Sequence, residues 1–141
     1  MTDIKNIVDK IIKKYGTTSP YELSELMGIK ITRCELGEIR GYYHHAYRVK
    51  QIYLNCNLSR NDEKLVLAHE LGHVVLHPDT NTPFFKSNTL ISVDKMEIQA
   101  NTFAMYFLIS DRDLSEYKDY SIEQLSKLYG YNKRLIELRL R

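Results

Sequence analysis

Residues 69 to 73 read His-Glu-Leu-Gly-His and lie inside the apolar run Leu65-Val-Leu-Ala-His-Glu-Leu-Gly-His-Val-Val-Leu76. On a helix, residues four apart share a face, so the imidazoles of His69 and His73 can grip one metal ion while Glu70 is directed at a water on it. This is the chemistry of a zinc hydrolase: zinc brings the pKa of its water towards roughly 7, and the glutamate takes the proton and hands it to the leaving amine of a peptide bond. The neighbours of the motif leave almost no polar face, which predicts a helix buried on most sides. Three ionisable side chains in such a helix carry a desolvation cost that a bound cation offsets. Gly72 is a second sign, because glycine inside a helix costs about 1 kcal/mol relative to alanine and marks close approach of another backbone or a ligand.

A catalytic zinc of this kind takes three protein ligands and keeps one position for water. In the segment Asp94 to Ile109, residues Glu97, Ala100, Asn101, Ala104, Met105 and Leu108 follow the spacing of one helical face. Two alanines on that face let this helix lie close to the zinc helix, which carries Glu97 to the metal and puts Asn101 one turn on, where it can orient a ligand. Asp94 shares the face but sits at the expected N-cap, where backbone donors already claim a carboxylate. His77 extends the series His69, His73, His77, yet two turns of helix separate it from His69 by about 12 Å, too far for one ion. It precedes Pro78 and closes the helix, with a place at the rim of the cleft as the alternative. Tyr42, Tyr43, His44 and His45 are candidate oxyanion donors, with Tyr42 the candidate cleft residue among them. In a chain with 11 tyrosines the plainer reading of them is as ordinary strand and loop residues.

The elements that must position these groups follow from local signals. Ile4, Ile7, Val8, Ile11, Ile12 and Tyr15 form one face of a first helix ending at Gly16. Ser19-Pro20-Tyr21-Glu22 is a capping-box pattern with proline at the first helical position, opening a short helix that stops at Gly28. Strands are expected over residues 29–34, 38–43 and 51–55, with Gly37 as a turn and 44–50 as a looser connection or further strand. Ser59 caps the zinc helix, with Asp62 and Glu63 in its first turn. A loop over 78–93 containing Phe84 and Phe85 should border the cleft, those two rings either packing on the domain or touching substrate. Ser121-Ile-Glu-Gln124 is a further capping box, and Gly130 separates its helix from a last one starting near Asn132. The expected fold is α+β, a single zincin-like domain over 1–141: N-terminal helices in 1–28, a small antiparallel or mixed sheet of three to four strands packed on the active-site helix in 29–110, and a C-terminal helical hairpin in 111–141.

Composition narrows the class. The chain has 141 residues, 43% hydrophobic and 27% charged, with a net charge of +2, too small to argue for nucleic acid or a membrane surface. The final pair of helices has the outline of a helix-turn-helix, but residues 112 to 141 hold seven basic against five acidic side chains, so direct nucleic-acid binding is not expected. The N-terminus lacks the apolar core of a signal peptide and no run is long enough to span a bilayer, which makes the cytoplasm the default. Cys34 and Cys56 lack Cys-x-x-Cys spacing and read as free thiols.

Taken together, Ile52-Tyr-Leu-Asn55, Leu67-Ala-His-Glu-Leu-Gly-His-Val-Val-Leu-His77 and Met96-Glu-Ile-Gln-Ala-Asn-Thr-Phe-Ala104 resemble the ImmA/IrrE family of metallopeptidases of phages, integrative elements and stress-resistant bacteria. The likeness runs from the second helix to the C-terminal hairpin. It implies His69 and His73 as metal ligands, Glu70 as the catalytic glutamate and Glu97 as the third ligand of one zinc ion, a donor set that suits zinc. Gln99 stands where many members carry a second glutamate, and Phe107-Leu-Ile-Ser110 replaces the usual Leu-Leu-Met-Pro; neither change removes a ligand. The resemblance further implies a protein substrate, a helix-turn-helix repressor of a phage or mobile element cut at one bond. The competing reading is a stoichiometric anti-repressor or toxin-antitoxin-type binding protein that keeps the fold without cutting.

Overall fold

The computed structural model describes residues 3–79 and 90–141, with side chains of the second stretch from Lys95 onward. The first helix, α1 (Ile4–Tyr15), is opened by the Asp3 carboxylate accepting from the Asn6 N–H and is closed by Gly16 in the left-handed region, φ +69°. The second, α2 (Pro20–Leu26), starts on the Ser19 hydroxyl with Pro20 in its first turn. Three strands follow: β1 (Lys30–Cys34), β2 (Gly41–Ala46) and β3 (Val49–Asn55). They form one mixed sheet in the order β1-β3-β2, with β1 parallel and β2 antiparallel to β3. An α+β fold with a small mixed sheet is what the sequence led us to expect.

The second strand is displaced from its expected position at 38–43. It begins at Gly41 and runs to Ala46, and Tyr47 and Arg48 make a two-residue hairpin turn, both at positive φ (52° and 66°). Such a turn matches the right-handed twist of the strands and is normally announced by Asn-Gly or Asp-Gly. A Tyr-Arg pair carries no such signal; the stretch 44–50 is the end of β2, this tight turn and the start of β3 rather than a looser connection.

The 17-residue helix α3 (Arg60–Leu76) bears the His-Glu-Leu-Gly-His motif and begins on the Ser59 hydroxyl. It is held at both ends. The Glu63 carboxylate accepts from the Arg33 guanidinium of β1 at 2.9 Å and from the Tyr21 hydroxyl of α2 at 2.9 Å. Beyond its last turn, the Pro78 carbonyl accepts from the buried Tyr43 hydroxyl at 2.8 Å and from His45 Nδ1 at 3.2 Å.

Next comes α4 (Leu90–Leu108). It starts four residues before the expected Asp94, so residue 94 lies within the helix and is not its cap; Ile91, Ser92 and Val93 are indifferent helix formers and hid the true beginning. Residues 90–93 of the expected 78–93 loop are thus helical, and Phe84 and Phe85 lie outside the described residues. Helix α3 is sandwiched. On one side Val66, Leu67, Leu71 and Val74 pack with Tyr43, Ile52 and Leu54 of the sheet and with Phe103 and Phe107 of α4. On the other, Leu65 and Ala68 join Ala104, Met105, Ile109, Leu125, Tyr131 and Ile136.

The C-terminal helices are α5 (Asp111–Glu116), α6 (Ile122–Tyr129) and α7 (Lys133–Leu140). Both halves of the capping box at Ser121 and Gln124 are formed, and Gly130 ends α6 at φ +73°. Helix α5 was not foreseen, although Ser110-Asp-Arg-Asp113 is a cap of the same type, with the Ser110 hydroxyl accepting from the Asp113 N–H. Arg139 of α7 is 5% exposed and donates to the Ile109 carbonyl and to Asp111, both at 2.7 Å, so one basic residue of the hairpin is spent on internal bonding. Among the described residues no helix is long and apolar enough to cross a membrane.

The crossing of α3 and α4 is closest at Gly72. A Cβ there would stand 3.0 Å from both the Cα and the carbonyl oxygen of Ala100 and 3.2 Å from Phe103 Cβ. The Gly72→Ala variant gains about 1 kcal/mol of helix propensity but must push the backbones of the two helices away from each other, and overpacking costs about 1–3 kcal/mol. The thermal midpoint of the metal-free variant is expected to fall; a rise would show that the crossing has slack.

Candidate metal centre

Helical spacing puts His69 and His73 on one face of α3, and the close crossing at Gly72 brings Glu97 of α4 against them. His69 Nε2 and His73 Nε2 are 3.2 Å apart, and the Glu97 carboxylate reaches the first at 2.8 Å and the second at 3.0 Å. Glu70 is 4% exposed, and its nearer oxygen stands 3.9 Å from His69 Nε2. One potential donor atom from each of His69, Glu70 and His73 lies within 4.8 Å of the other two.

The second nitrogen of each ring is also occupied. Asn101 Oδ1 accepts from His69 Nδ1 at 2.6 Å, and His73 Nδ1 is 3.1 Å from His77 Nδ1. With its proton on Nδ1, His69 turns a bare Nε2 lone pair towards a second imidazole nitrogen and a carboxylate. Three electron-rich atoms at such distances call for a cation. Bonds of about 2.0–2.1 Å in a tetrahedral arrangement would separate ligand atoms by roughly 3.3 Å, close to what is present. The residues fit a metal ion.

A cleft of about 460 Å³ opens beside these groups. Its floor is His69, Glu70, Glu97 and Asn101, and its walls include Ile39, Gly41, Leu65, Val66 and Leu135, with Glu38 and Arg40 among the polar lining.

A family model described as the IrrE N-terminal-like domain matches residues 24–141. The chain belongs to that family. Over 141 aligned residues it is 34% identical to the metallopeptidase ImmA of Bacillus subtilis strain 168, covering 97% of this chain and 83% of that one. It is 42% identical to an uncharacterized immunity region protein 2 of Bacillus phage phi105, covering 98% of this chain and 89% of the relative. The ImmA/IrrE-type metallopeptidase family is thus the one the motifs pointed to.

For this member of the metallopeptidase family, the structure brings His69, Glu70, His73, Glu97, Asn101 and His77 into one cluster. Tyr42 is not among them. The buried residues Tyr43, Ile52 and Leu54 face α3, whereas Tyr42 stacks on Tyr53, ring centroids 4.7 Å apart, on the other side of the sheet. Strand alternation at this offset decides which tyrosine turns inward. Tyr43 turns in and bonds to Pro78, which makes it an anchor of α3's end.

Two residues were not singled out by their types. Asn55, at the end of β3 and 6% exposed, donates from Nδ2 to the Gly37 and Ile39 carbonyls at 3.0 Å each, and so holds the loop that walls the cleft. A polar residue ending an apolar strand was the signal. Gln99, marked in the sequence only as standing in place of a glutamate, has its Oε1 2.8 Å from His77 Nε2, a contact that motif did not announce.

Without a metal, protons take over some of the cation's role. Burial alone would lower the His69 pKa, but the hydrogen bond to Glu97 and the charges of Glu70 and Glu97 hold it above the ordinary 6.5. Burial, chiefly, holds His73 below it. Burial pushes Glu97 up, yet bonds to both imidazoles leave it far below the ordinary 4.5. The depressed Glu97 stabilises the fold above pH 4.5, and this is lost as pH falls; the raised His69 stabilises it below pH 6.5, and this is lost as pH rises. In metal-free protein, the loss of thermal midpoint on Glu97→Gln is therefore expected to be largest between pH 4.5 and 6.5 and to shrink on either side, as followed by thermal unfolding across a pH series.

Proposed function

We propose that this protein is a zinc-dependent endopeptidase that hydrolyses one peptide bond in a protein substrate, a helix-turn-helix repressor encoded with the same phage or mobile element. The single observation that carries this reading is the convergence of two imidazole nitrogens and the Glu97 carboxylate on one point beside the buried Glu70, at the floor of an open cleft. The likeness to a phage immunity region protein and to a metallopeptidase supports the repressor setting.

In this reading His69, His73 and Glu97 hold one zinc ion, which when bound supplies Lewis acidity to the scissile carbonyl and to water. Glu70 does the proton work. It takes the proton of the attacking water as the carbon–oxygen bond forms, then delivers it to the amide nitrogen as the carbon–nitrogen bond breaks, so no covalent enzyme intermediate is needed. Burial of Glu70 keeps bulk water from competing for that proton, and Asn101 keeps His69 turned the right way. Leu65, Val66 and Leu135 give the cleft an apolar wall, which takes an apolar substrate side chain next to the scissile bond.

Zinc-loaded protein incubated with repressors encoded beside its gene is expected to yield two fragments by mass spectrometry. Glu70→Gln should lower the cleavage rate at least about 100-fold, the scale of general-base catalysis, while zinc uptake stays at one ion per chain. A binding protein that works by association would keep its effect on the repressor with Gln at that position, and unchanged activity of the variant would refute the enzyme reading. Leu135→Arg is expected to move the preferred residue beside the cut from apolar towards acidic in a peptide mixture; an unaltered preference would remove Leu135 from the subsite.

A further inference from the structure

His73 reaches the metal site through Nε2, 3.0 Å from Glu97 and 3.2 Å from His69 Nε2. Its other nitrogen, Nδ1, lies 3.1 Å from Nδ1 of His77, and Nε2 of His77 lies 2.8 Å from the side-chain oxygen of Gln99. His73 is 2% and His77 9% exposed, so solvent does not stand in for either partner. An imidazole whose Nε2 lone pair binds a metal carries its proton on Nδ1. That proton needs an acceptor. The acceptor here is Nδ1 of His77, which must then be bare, so the proton of His77 sits on Nε2 and points at Gln99. An amide oxygen at that point accepts it; an amide nitrogen there would force the His77 proton back onto Nδ1, against the proton of His73. Only one arrangement of protons along the three residues leaves no conflict.

Resting on the metal reading above, we propose that His77 and Gln99 are positioning residues of the metal centre: they hold His73 in the one tautomer and ring orientation that leaves its Nε2 lone pair facing the ion. Asn101 does the same for His69 in a single step. Helix α4 therefore supplies a ligand and both outer anchors from alternate positions, Glu97, Gln99 and Asn101. Position 99 needs an acceptor, which glutamine provides without adding a third carboxylate to a site that already holds Glu70 and Glu97.

The test is zinc affinity, measured by titrating metal-stripped protein against a chromophoric chelator, alongside thermal unfolding of the metal-free proteins. His77→Leu, which has no acceptor, should bind zinc about 10–100-fold more weakly, the usual cost of losing a partner behind a ligand. His77→Asn puts an amide oxygen close to where Nδ1 stood and should recover most of that loss. Gln99→Glu keeps the acceptor and should bind zinc nearly as wild type, whereas Gln99→Leu should fall between wild type and His77→Leu. In long-range proton–nitrogen spectra of the zinc-loaded protein, His73 should carry its proton on Nδ1 and His77 on Nε2. Wild-type affinity in His77→Leu, equal weakness of His77→Asn and His77→Leu, or a proton on Nδ1 of His77 would each overturn the proposal. If His77→Leu fails to fold, the spectra and the other three variants decide it. A wild-type chain that takes up no zinc would remove the metal reading itself, and a zinc-binding wild type beside an unaffected His77→Leu would remove only this inference.

Discussion

Everything at the site depends on how closely two helices can approach. Helix α3 carries two imidazoles and α4 carries the carboxylate, and their contact at Gly72 and Ala100 leaves no room for a Cβ without backbone contacts of 3.0 Å. Side chains of ordinary size at that crossing would hold the axes 8–10 Å apart. Glutamate has a reach of a few ångströms, so the crossing distance decides whether Glu97 touches His69 and His73 or stops short. The helix-propensity cost of glycine in the middle of α3 is borne for that purpose.

A close crossing is of use only if α3 cannot slide or roll. Glu63 is clamped by Arg33 and Tyr21 at one end, and Pro78 is held by Tyr43 and His45 at the other. Between the clamps, α3 is buried on both flanks, with the sheet on one and the C-terminal helices on the other. The same sheet walls the cleft through Asn55, whose side chain holds the loop over 37–39. His69, His73 and Glu97, the proposed ligands, are thus mounted on packed helices, and the facing wall of the cleft is built from a loop and strand pinned to the same frame, an arrangement that would limit the motion of reacting groups relative to a bond held there.

The electrostatics follow from burial. Glu70 and His73 lie where water screens little, Glu97 is half-buried beside them, and the carboxylates and imidazoles compensate one another at 2.8–3.9 Å. A metal ion held by them would complete that compensation. The hydrogen bonds behind the imidazoles to Asn101 and His77 give each ring a single orientation.

Much of this was legible in the chain. The four-residue spacing of His69 and His73 fixes their common face whatever surrounds the helix, and the small residues Gly72, Ala100 and Ala104 foretold the close pairing that presents Glu97. Caps at Ser19, Ser59 and Ser121 announced helix starts because a hydroxyl satisfying a backbone N–H is a local event. What was missed depends on non-local geometry. The offset of β2, and with it the choice of Tyr43 over Tyr42 as the inward ring, was set by a Tyr-Arg turn and by pairing with β3, neither of which has a one-dimensional signature. His77 looked remote because helical rise measures distance to His69; its ring instead meets the far nitrogen of His73, and Gln99 arrives from another helix to complete the contact. The spacing of His69 and His73 along one helix is a property of the backbone repeat, so the sequence determined it alone; which polar groups stand behind the two imidazoles depends on where a second helix lands, and only the tertiary structure decided that.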